Sequence, residues 1–421
     1  MSAPHAAGPA ADGARAARAD ARRPTGPEGP ARAAYTDAGV DVAAGDRAVE
    51  MIRARVAATH GPDVLAGIGG FAAAVRVPEG MREPVMVSAT DGVGTKTAIA
   101  VAMDRLDTIG EDLVAMCADD VVCLGARPLF FLDYLAVGRL DPARVAALVD
   151  GVARGCARAG CALVGGETAE HPGLMAPDEV DLAGFCVGVA ERADLFDPDA
   201  VRPGDALLGM AASGLHANGY SLVRTVLARH GLTLDRPYLE VVRAALGASE
   251  AERVAVEEPA LGAATLGDVL LAPTRIYAAD VLALRASLAD AGVPLRGLAH
   301  VTGGGLPGNV PRALPGHLAA RLVPGSWPEP SVVRLVVALA GMSEPEARAT
   351  FNAGLGMVAV LPRDGVAPAR AFLAGRGIDA WPVGDVVPAE EAGPGRYVED
   401  RHGAGRRGAG RHGAGRRGSD R

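Results

Sequence analysis

"SATDGVGTKTAIA", residues 88–100, follows a short apolar run and carries two glycines and a lysine, the outline of a phosphate loop. A Walker A loop needs glycine directly before the lysine, in the pattern G-x-x-x-x-G-K-[ST]. Thr95 separates Gly94 from Lys96, and no glycine stands at the required earlier offset, so the spacing excludes a P-loop. The stretch offers Asp91 instead, at the end of the strand "EPVMVSAT". A carboxylate beside glycines suits a Mg²⁺ that bridges phosphates. The same residues also suit a plain β-turn with Asp-Gly at its corner.

Strands and helices alternate outward from this loop. Residues 108–125 place Ile109, Leu113, Met116, Cys117, Val121 and Leu124 on one helical stripe. On that helix Asp112 and Asp119 are seven residues apart and share nearly one face. Such acids usually form a solvated face, and a functional reading needs Asp120 to turn toward Asp91. "PLFFLDYLAVG" (128–138) reads as a strand. The next helix opens with Asp141 as cap and Pro142 in its first turn, buries Val145, Leu148, Val149, Val152 and Cys156, and ends at Gly160. "CALVGGETAE" and "DLAGFCVGVAER" read as further strands. A composition break at 193–205 marks a domain boundary between 35–192 and 193–400. The second half opens as strand, glycine loop and helix, with Asn218 as a plausible helix cap. Residues 234–266 read as an acidic surface insertion.

Net charge is −8, but the last 21 residues hold seven arginines and one aspartate, about +6, leaving the remainder near −14. A body that acidic is a poor general polyanion binder. Residues 1–34 and the repeated RHGAGRRG unit of 401–421 lack periodicity and read as disordered tails. The five cysteines, Cys117, Cys123, Cys156, Cys161 and Cys186, are odd in number and form no CxxC pair. That argues against a disulfide framework or a zinc site and fits a reducing cytoplasm. No apolar run reaches about 18 residues, so no membrane span is expected, and the N-terminus lacks the apolar core of a secretory signal.

Other glycine loops also sit at strand ends. "GIGGFA" (67–72) could bring backbone N–H groups to a phosphate through Gly67, Gly69 and Gly70. Ala72 stands where G-x-G-x-x-G needs its last glycine, and a tight turn reads equally well. "GGETAEHPG" (165–173) sets Glu167 at a strand rim. "SGLHANGYS" (213–221) offers Ser213, His216 and Asn218, either as acid/base and phosphate contacts or as a capping turn. "HVTGGG" (300–305) adds His300, Thr302, Gly303 and Gly304. No G-x-S-x-G and no H-E-x-x-H is present, so the pattern favours phosphate chemistry over serine or zinc hydrolysis.

These motifs, with "YTDAGVD" (35–41), "TDGVGTK" (90–96), "DTIGEDLVAMCADDVV" (107–122), "ARPLFFLDYLA" (126–136), "LVGGETAEHPG" (163–173), "AGFCVGV" (183–189), "SGLHANGYSLVR" (213–224), "LLAPTRIY" (270–277), "HVTGGGLPGNVPR" (300–312) and "FNAGLGM" (351–357), closely resemble the phosphoribosylformylglycinamidine cyclo-ligase family, also called aminoimidazole ribonucleotide synthetases. They occur in family order across residues 35–400. The resemblance implies an α+β fold of two α/β-layer domains. The N-terminal sheet pairs across a homodimer into a barrel, and the C-terminal sheet carries helices on one side. It implies cyclisation of formylglycinamidine ribonucleotide with ATP and Mg²⁺, often with K⁺, in the cytoplasm. It assigns Asp91, Asp120 and Glu167 to the metal. Gly67, Gly69, Gly70, Phe71, Gly92, Gly94, Thr95 and Lys96 fall to ATP. Ser213, Asn218, Tyr220, His300, Thr302, Gly303 and Gly304 fall to the ribonucleotide. Asp91, His216 and Lys96 are the implied catalytic residues.

Three positions depart from the family pattern. Thr36 stands where many relatives have Lys, Ala353 where Cys is common, and Asp119 where several have Asn. Selenophosphate synthetases, which share such loops, carry a reactive Cys near the first glycine loop, whereas no Cys precedes Cys117 here. Thiamine-monophosphate kinases lack "SGLHANGYSLVR" and "APTRIY". A nucleic-acid binder acting through the arginine tail is a different class. That tail has no aromatic residues for base stacking, and no specific nucleic-acid partner is expected.

Overall fold

The computed structural model describes residues 42–400. Both expected tails and Thr36 lie outside the described residues. No helix among those described is long and apolar enough to cross a membrane.

The architecture is mixed α+β. The first part runs α1 (Val42–Ala58), β1 (Val64–Ala66), β2 (Ala74–Val75), β3 (Pro84–Gly92), α2 (Lys96–Ala102), α3 (Ile109–Val122), β4 (Arg127–Val137), α4 (Pro142–Ala159), β5 (Ala162–Glu170) and β6 (Val180–Glu191). Its main sheet has the order β3-β6-β4-β5, with β4 and β5 parallel and the other pairs antiparallel. Helices α3 and α4 lie side by side and cover one face. Small residues on the sheet allow this approach. A Cβ at Gly184 would strike Phe131, Leu113 and Cys117, and one at Gly188 would strike Val121. No described residue covers the opposite face, where Met86 and Phe185 are exposed and Phe130, Leu132, Tyr134 and Val187 half-buried.

Helix α4 forms as its sequence predicts. Asp141 accepts from the N–H groups of Ala143 and Arg144, Pro142 follows, and Gly160 closes the helix at φ 75°. Its expected apolar face is buried, each large aliphatic side chain contributing about 1.5–3 kcal/mol. Helix α3 departs from expectation. It is buried on nearly all sides, and Asp112 and Asp119 are fully buried rather than solvated. Leu124 lies past the helix end and is exposed.

The second part comprises β7 (Ala206–Ala211), α5 (Tyr220–Arg229), α6 (Tyr238–Leu246), α7 (Ala248–Glu257), α8 (Leu266–Leu270), α9 (Ala278–Asp290), β8 (Gly297–His300), α10 (Gly305–Asn309), β9 (Leu318–Leu322), α11 (Ser331–Ala340), α12 (Glu344–Thr350), β10 (Leu355–Leu361), α13 (Val366–Gly375), β11 (Ala380–Pro388) and β12 (Tyr397–Glu399). Six strands form the order β12-β9-β11-β7-β10-β8. Strand β10 is buried on both faces. Met357, Ala359 and Leu361 join the core shared with the long helices. Leu355, Val358 and Val360 meet Leu306, Val310 and Trp327. The second face is therefore covered as well, by α10 and irregular chain. Within 234–266, Tyr238, Val241, Val242, Ala251 and Val254 are buried.

Candidate active site

Asp91 ends β3 at the edge of the first sheet, and its Oδ1 accepts the Gly92 N–H at 2.7 Å. Burial holds its carboxyl above the ordinary carboxylate range, and the Gly92 hydrogen bond opposes that rise. The charge of Asp120 adds to the rise, while His300 pulls the other way. Asp120 reaches this position from the last turn of α3, where its Oδ1 accepts from His300 Nδ1 at 2.9 Å. His300 ends β8 in the second half, so this hydrogen bond ties the end of α3 to the second sheet. With Nδ1 donating to the carboxylate, His300 Nε2 is buried with no hydrogen-bond partner among the described residues.

The polar loops of the second half converge here. Gly303 approaches Asn218, since a Cβ on that glycine would lie 3.5 Å from Asn218 Oδ1. Thr302, Gly303 and Gly304 lead into α10, with Gly303 and Gly304 exposed. Asn309, which the sequence reading did not single out, ties this loop by donating to the carbonyls of Thr302, Gly303 and Gly305. Its signal was an asparagine placed a few residues past a glycine triplet. Ser213 is exposed and its Oγ donates to the Pro273 carbonyl. Asn218 does not cap α5: its Nδ2 faces Met116 Sδ, and Gly219 occupies the cap position. Thr95 Oγ lies 3.0 Å from Ser221 Oγ, bringing the Gly92–Gly94 turn to the start of α5.

Five expectations meet a different geometry. Lys96 is fully buried, and its three N–H groups go to Asp112 Oδ1 (2.9 Å), the His216 carbonyl (3.1 Å) and the Ala272 carbonyl (2.7 Å). An ammonium has three donors, so none remains for a phosphate. His216 is also buried. Its Nε2 accepts the Ser213 N–H at 3.1 Å, which puts the proton of the neutral ring on Nδ1, and burial holds its pKa well below the usual histidine range. It shapes the loop and is shielded from solvent. Tyr220 is core: its hydroxyl donates to the Leu270 carbonyl.

Glu167 does not join Asp91. On β5 it pairs in register with Tyr134 of β4, while Asp91 aligns through Gly184 with Asp133 and Gly166. That places Glu167 on the other edge and the opposite face, three strand spacings or about 14 Å away. The loop of Gly67, Gly69, Gly70 and Phe71 likewise lies by β5, because β1 packs there. Gly67 backs onto His60, whose Nε2 meets the Leu163 carbonyl at 2.8 Å. Phe71 is fully exposed. Among the described residues, no group of three His, Cys, Asp or Glu side chains converges to hold a metal. The first half's acids are nonetheless occupied: Asp112 takes the Thr274 N–H at 2.7 Å, and Asp119 takes the Tyr277 N–H at 2.9 Å. Burial pushes Asp119 up to about 7.

A glycine turn bearing Asp91 and the loops around His300 and Ser221 meet between two α+β halves. The AIR synthase related protein family models match the N-terminal domain over residues 69–190 and the C-terminal domain over 202–394. A phosphoribosylformylglycinamidine cyclo-ligase of Anaeromyxobacter sp. (strain Fw109-5) is 51% identical over 354 residues, covering 84% of this chain and 95% of the relative. That of Thermosynechococcus vestitus is 48% identical over 353 residues, with 84% and 96% covered. The chain belongs to the phosphoribosylformylglycinamidine cyclo-ligase family. The fold is shared more widely. Thiamine-monophosphate kinase from Stenotrophomonas maltophilia K279a superposes with a TM-score of 0.53 at 20% identity, covering 83% of this chain and 96% of that one. The hydrogenase maturation protein HypE in complex with ATP gives 0.54 at 19% identity, with 83% and 90% covered.

Proposed function

We propose that the protein converts formylglycinamidine ribonucleotide and ATP to 5-aminoimidazole ribonucleotide, ADP and phosphate, as a ligase of purine biosynthesis. The observation that carries this reading is the meeting of Asp91, Asp120 and His300 from both halves beside two glycine loops, in a chain about half identical to named cyclo-ligases along nearly their whole length.

The formamide oxygen is a poor leaving group. Transfer of the γ-phosphoryl to it, with ADP departing, makes a group that can leave as phosphate. The amidine nitrogen of the same substrate then attacks the formyl carbon, phosphate leaves, and a proton is lost as the ring closes. Because the closure is intramolecular, orientation supplies much of the rate, and charge neutralisation supplies the phosphoryl step. Asp91 and Asp120 fit Mg²⁺, which takes one or two carboxylates alongside waters and substrate phosphates. When bound, that ion would neutralise the transferring charge. Gly92, Gly94 and Thr95 form the turn facing the phosphates. Asn218, Ser213, Thr302, Gly303 and Gly304 hold the ribonucleotide, and the Asp120-held imidazole of His300 is the group placed to move a proton.

We read residues 35–192 as the nucleotide-binding and dimerising part and 193–400 as the second domain, with 234–266 an addition to it. Separate sheets on each side of residue 193 support that division. A homodimer is supported by the uncovered apolar sheet face. Pairing of two such faces into a barrel would carry Glu167 and the Gly67–Phe71 loop into a neighbouring subunit's reach. Five free cysteines support a reducing, cytoplasmic setting.

The test is ATP consumption by the purified protein with formylglycinamidine ribonucleotide, Mg²⁺ and K⁺. Aminoimidazole ribonucleotide is read as a diazotisable amine. Absence of that amine would overturn the reading.

A further inference from the structure

We propose that Lys96 is a positioning residue: with Asp112 it forms a buried latch that registers the Asp91 loop against the substrate loop at 213–218 and the segment 272–274 that supports it. The inference rests on those loops being the active site. Lys96 opens α2 five residues after Asp91, and its side chain is fully excluded from solvent. All three of its N–H groups are committed, one to the helix that also carries Asp120 and two to carbonyls of the second half. Asp112 completes the latch from the other side. Its Oδ1 also accepts the Thr274 N–H and hydroxyl, at 2.7 and 2.5 Å, while Oδ2 is buried with no partner among the described residues.

The loop so held is tied internally by the Ser213 N–H to His216 Nε2 bond but carries backbone strain. His216 has φ 63°, a left-handed conformation that is disfavoured for any residue but glycine. The carbonyl that Lys96 grips is His216's own. The neighbouring Gly214 carbonyl is gripped by Asn352 Nδ2 at 2.8 Å. Release of the ammonium would let Ser213 and Asn218 drift from Asp91, and a displacement of about 1 Å costs on the order of 100-fold in rate. A phosphate ligand would act differently, through nucleotide affinity.

The experiment compares full-length wild type, Lys96→Met, Asp112→Asn and the double variant. It measures ATP dissociation constant by equilibrium dialysis, kcat and KM for the ribonucleotide, and amide exchange at 213–218. The latch predicts that each single variant loses roughly tenfold or more in kcat, and that ATP affinity stays within about twofold. Exchange at 213–218 should speed up in both, and the double variant should be no worse than the weaker single within about twofold, since both act on one interaction. A rise of about tenfold in the ATP dissociation constant for Lys96→Met alone, with Asp112→Asn binding normally, overturns it. So do additive losses in the double variant. Should Lys96→Met fail to fold, Thr274→Val deletes only the hydroxyl bond to Asp112. It must slow kcat and speed loop exchange without changing ATP affinity, and unchanged kcat and exchange overturn the latch. An inactive wild type would instead count against the cyclo-ligase reading, leaving ATP binding and exchange to judge the latch.

Discussion

At the scale of single residues, acids divide by what surrounds them. Asp91 is partly exposed at a strand end, accepts one backbone N–H, and faces Asp120 and His300. Asp91→Asn keeps its shape and removes its charge. Turnover should fall at least about 1000-fold with the melting temperature unchanged, since phosphoryl transfer is accelerated mainly by neutralising the charge of its transition state. A near-normal rate would mark Asp91 as a turn residue. Asp133, on the covered face of the same sheet row, has the opposite setting. It is buried, its Oδ2 has no hydrogen-bond partner among the described residues, and burial pushes its carboxyl from 3.8 up to about 7. The folded state therefore holds this proton more tightly than the unfolded chain. Its contribution to stability is full below 3.8 and is lost as pH rises through about 7. Asp133→Asn should flatten the fall of melting temperature with pH across that window. An unchanged slope would mean the carboxyl is hydrated. Sequence could name Asp91 because it ends a strand at a glycine turn. It could not separate Asp112 and Asp119 from solvated acids, because their partners, Thr274 and Tyr277, lie more than 150 residues away in sequence.

At the scale of elements, local signals were readable where they were complete. Helix α4 carries cap, first-turn proline, apolar face and closing glycine in one stretch, and it forms where those signals place it. Helix α3 also forms where its apolar stripe places it, but its burial on nearly all sides comes from packing between one sheet and the loops of the other half. The "HVTGGG" loop shows how far a turn depends on glycine. Gly305 has φ 59°, and a Cβ there would overlap the Arg348 carbonyl oxygen. Arg348 is itself pinned by Glu399, so it cannot retreat freely. Gly305→Ala should cost roughly 2 kcal/mol or more of stability in chemical denaturation. It should also raise KM for the ribonucleotide. A variant as stable as wild type would show that the α12 end yields.

At the scale of the whole molecule, the first sheet keeps an apolar face that none of the described residues covers. A Phe185→Glu/Met86→Glu variant should run as a monomer in light scattering and lose most turnover, because it would bury two charges in a face made of Phe130, Leu132 and Val187. A fully active dimer would place the interface elsewhere. Sequence alone determined the family, the alternating elements and the loops that bear chemistry, because strand ends, caps and glycine turns are written in contiguous residues. Tertiary structure alone decided which of those loops meet. It set Asp120 on His300, sent Glu167 to the far edge and hid Lys96, His216 and Tyr220. Whether a polar side chain is free or spent depends on neighbours that only chain folding brings within hydrogen-bond distance.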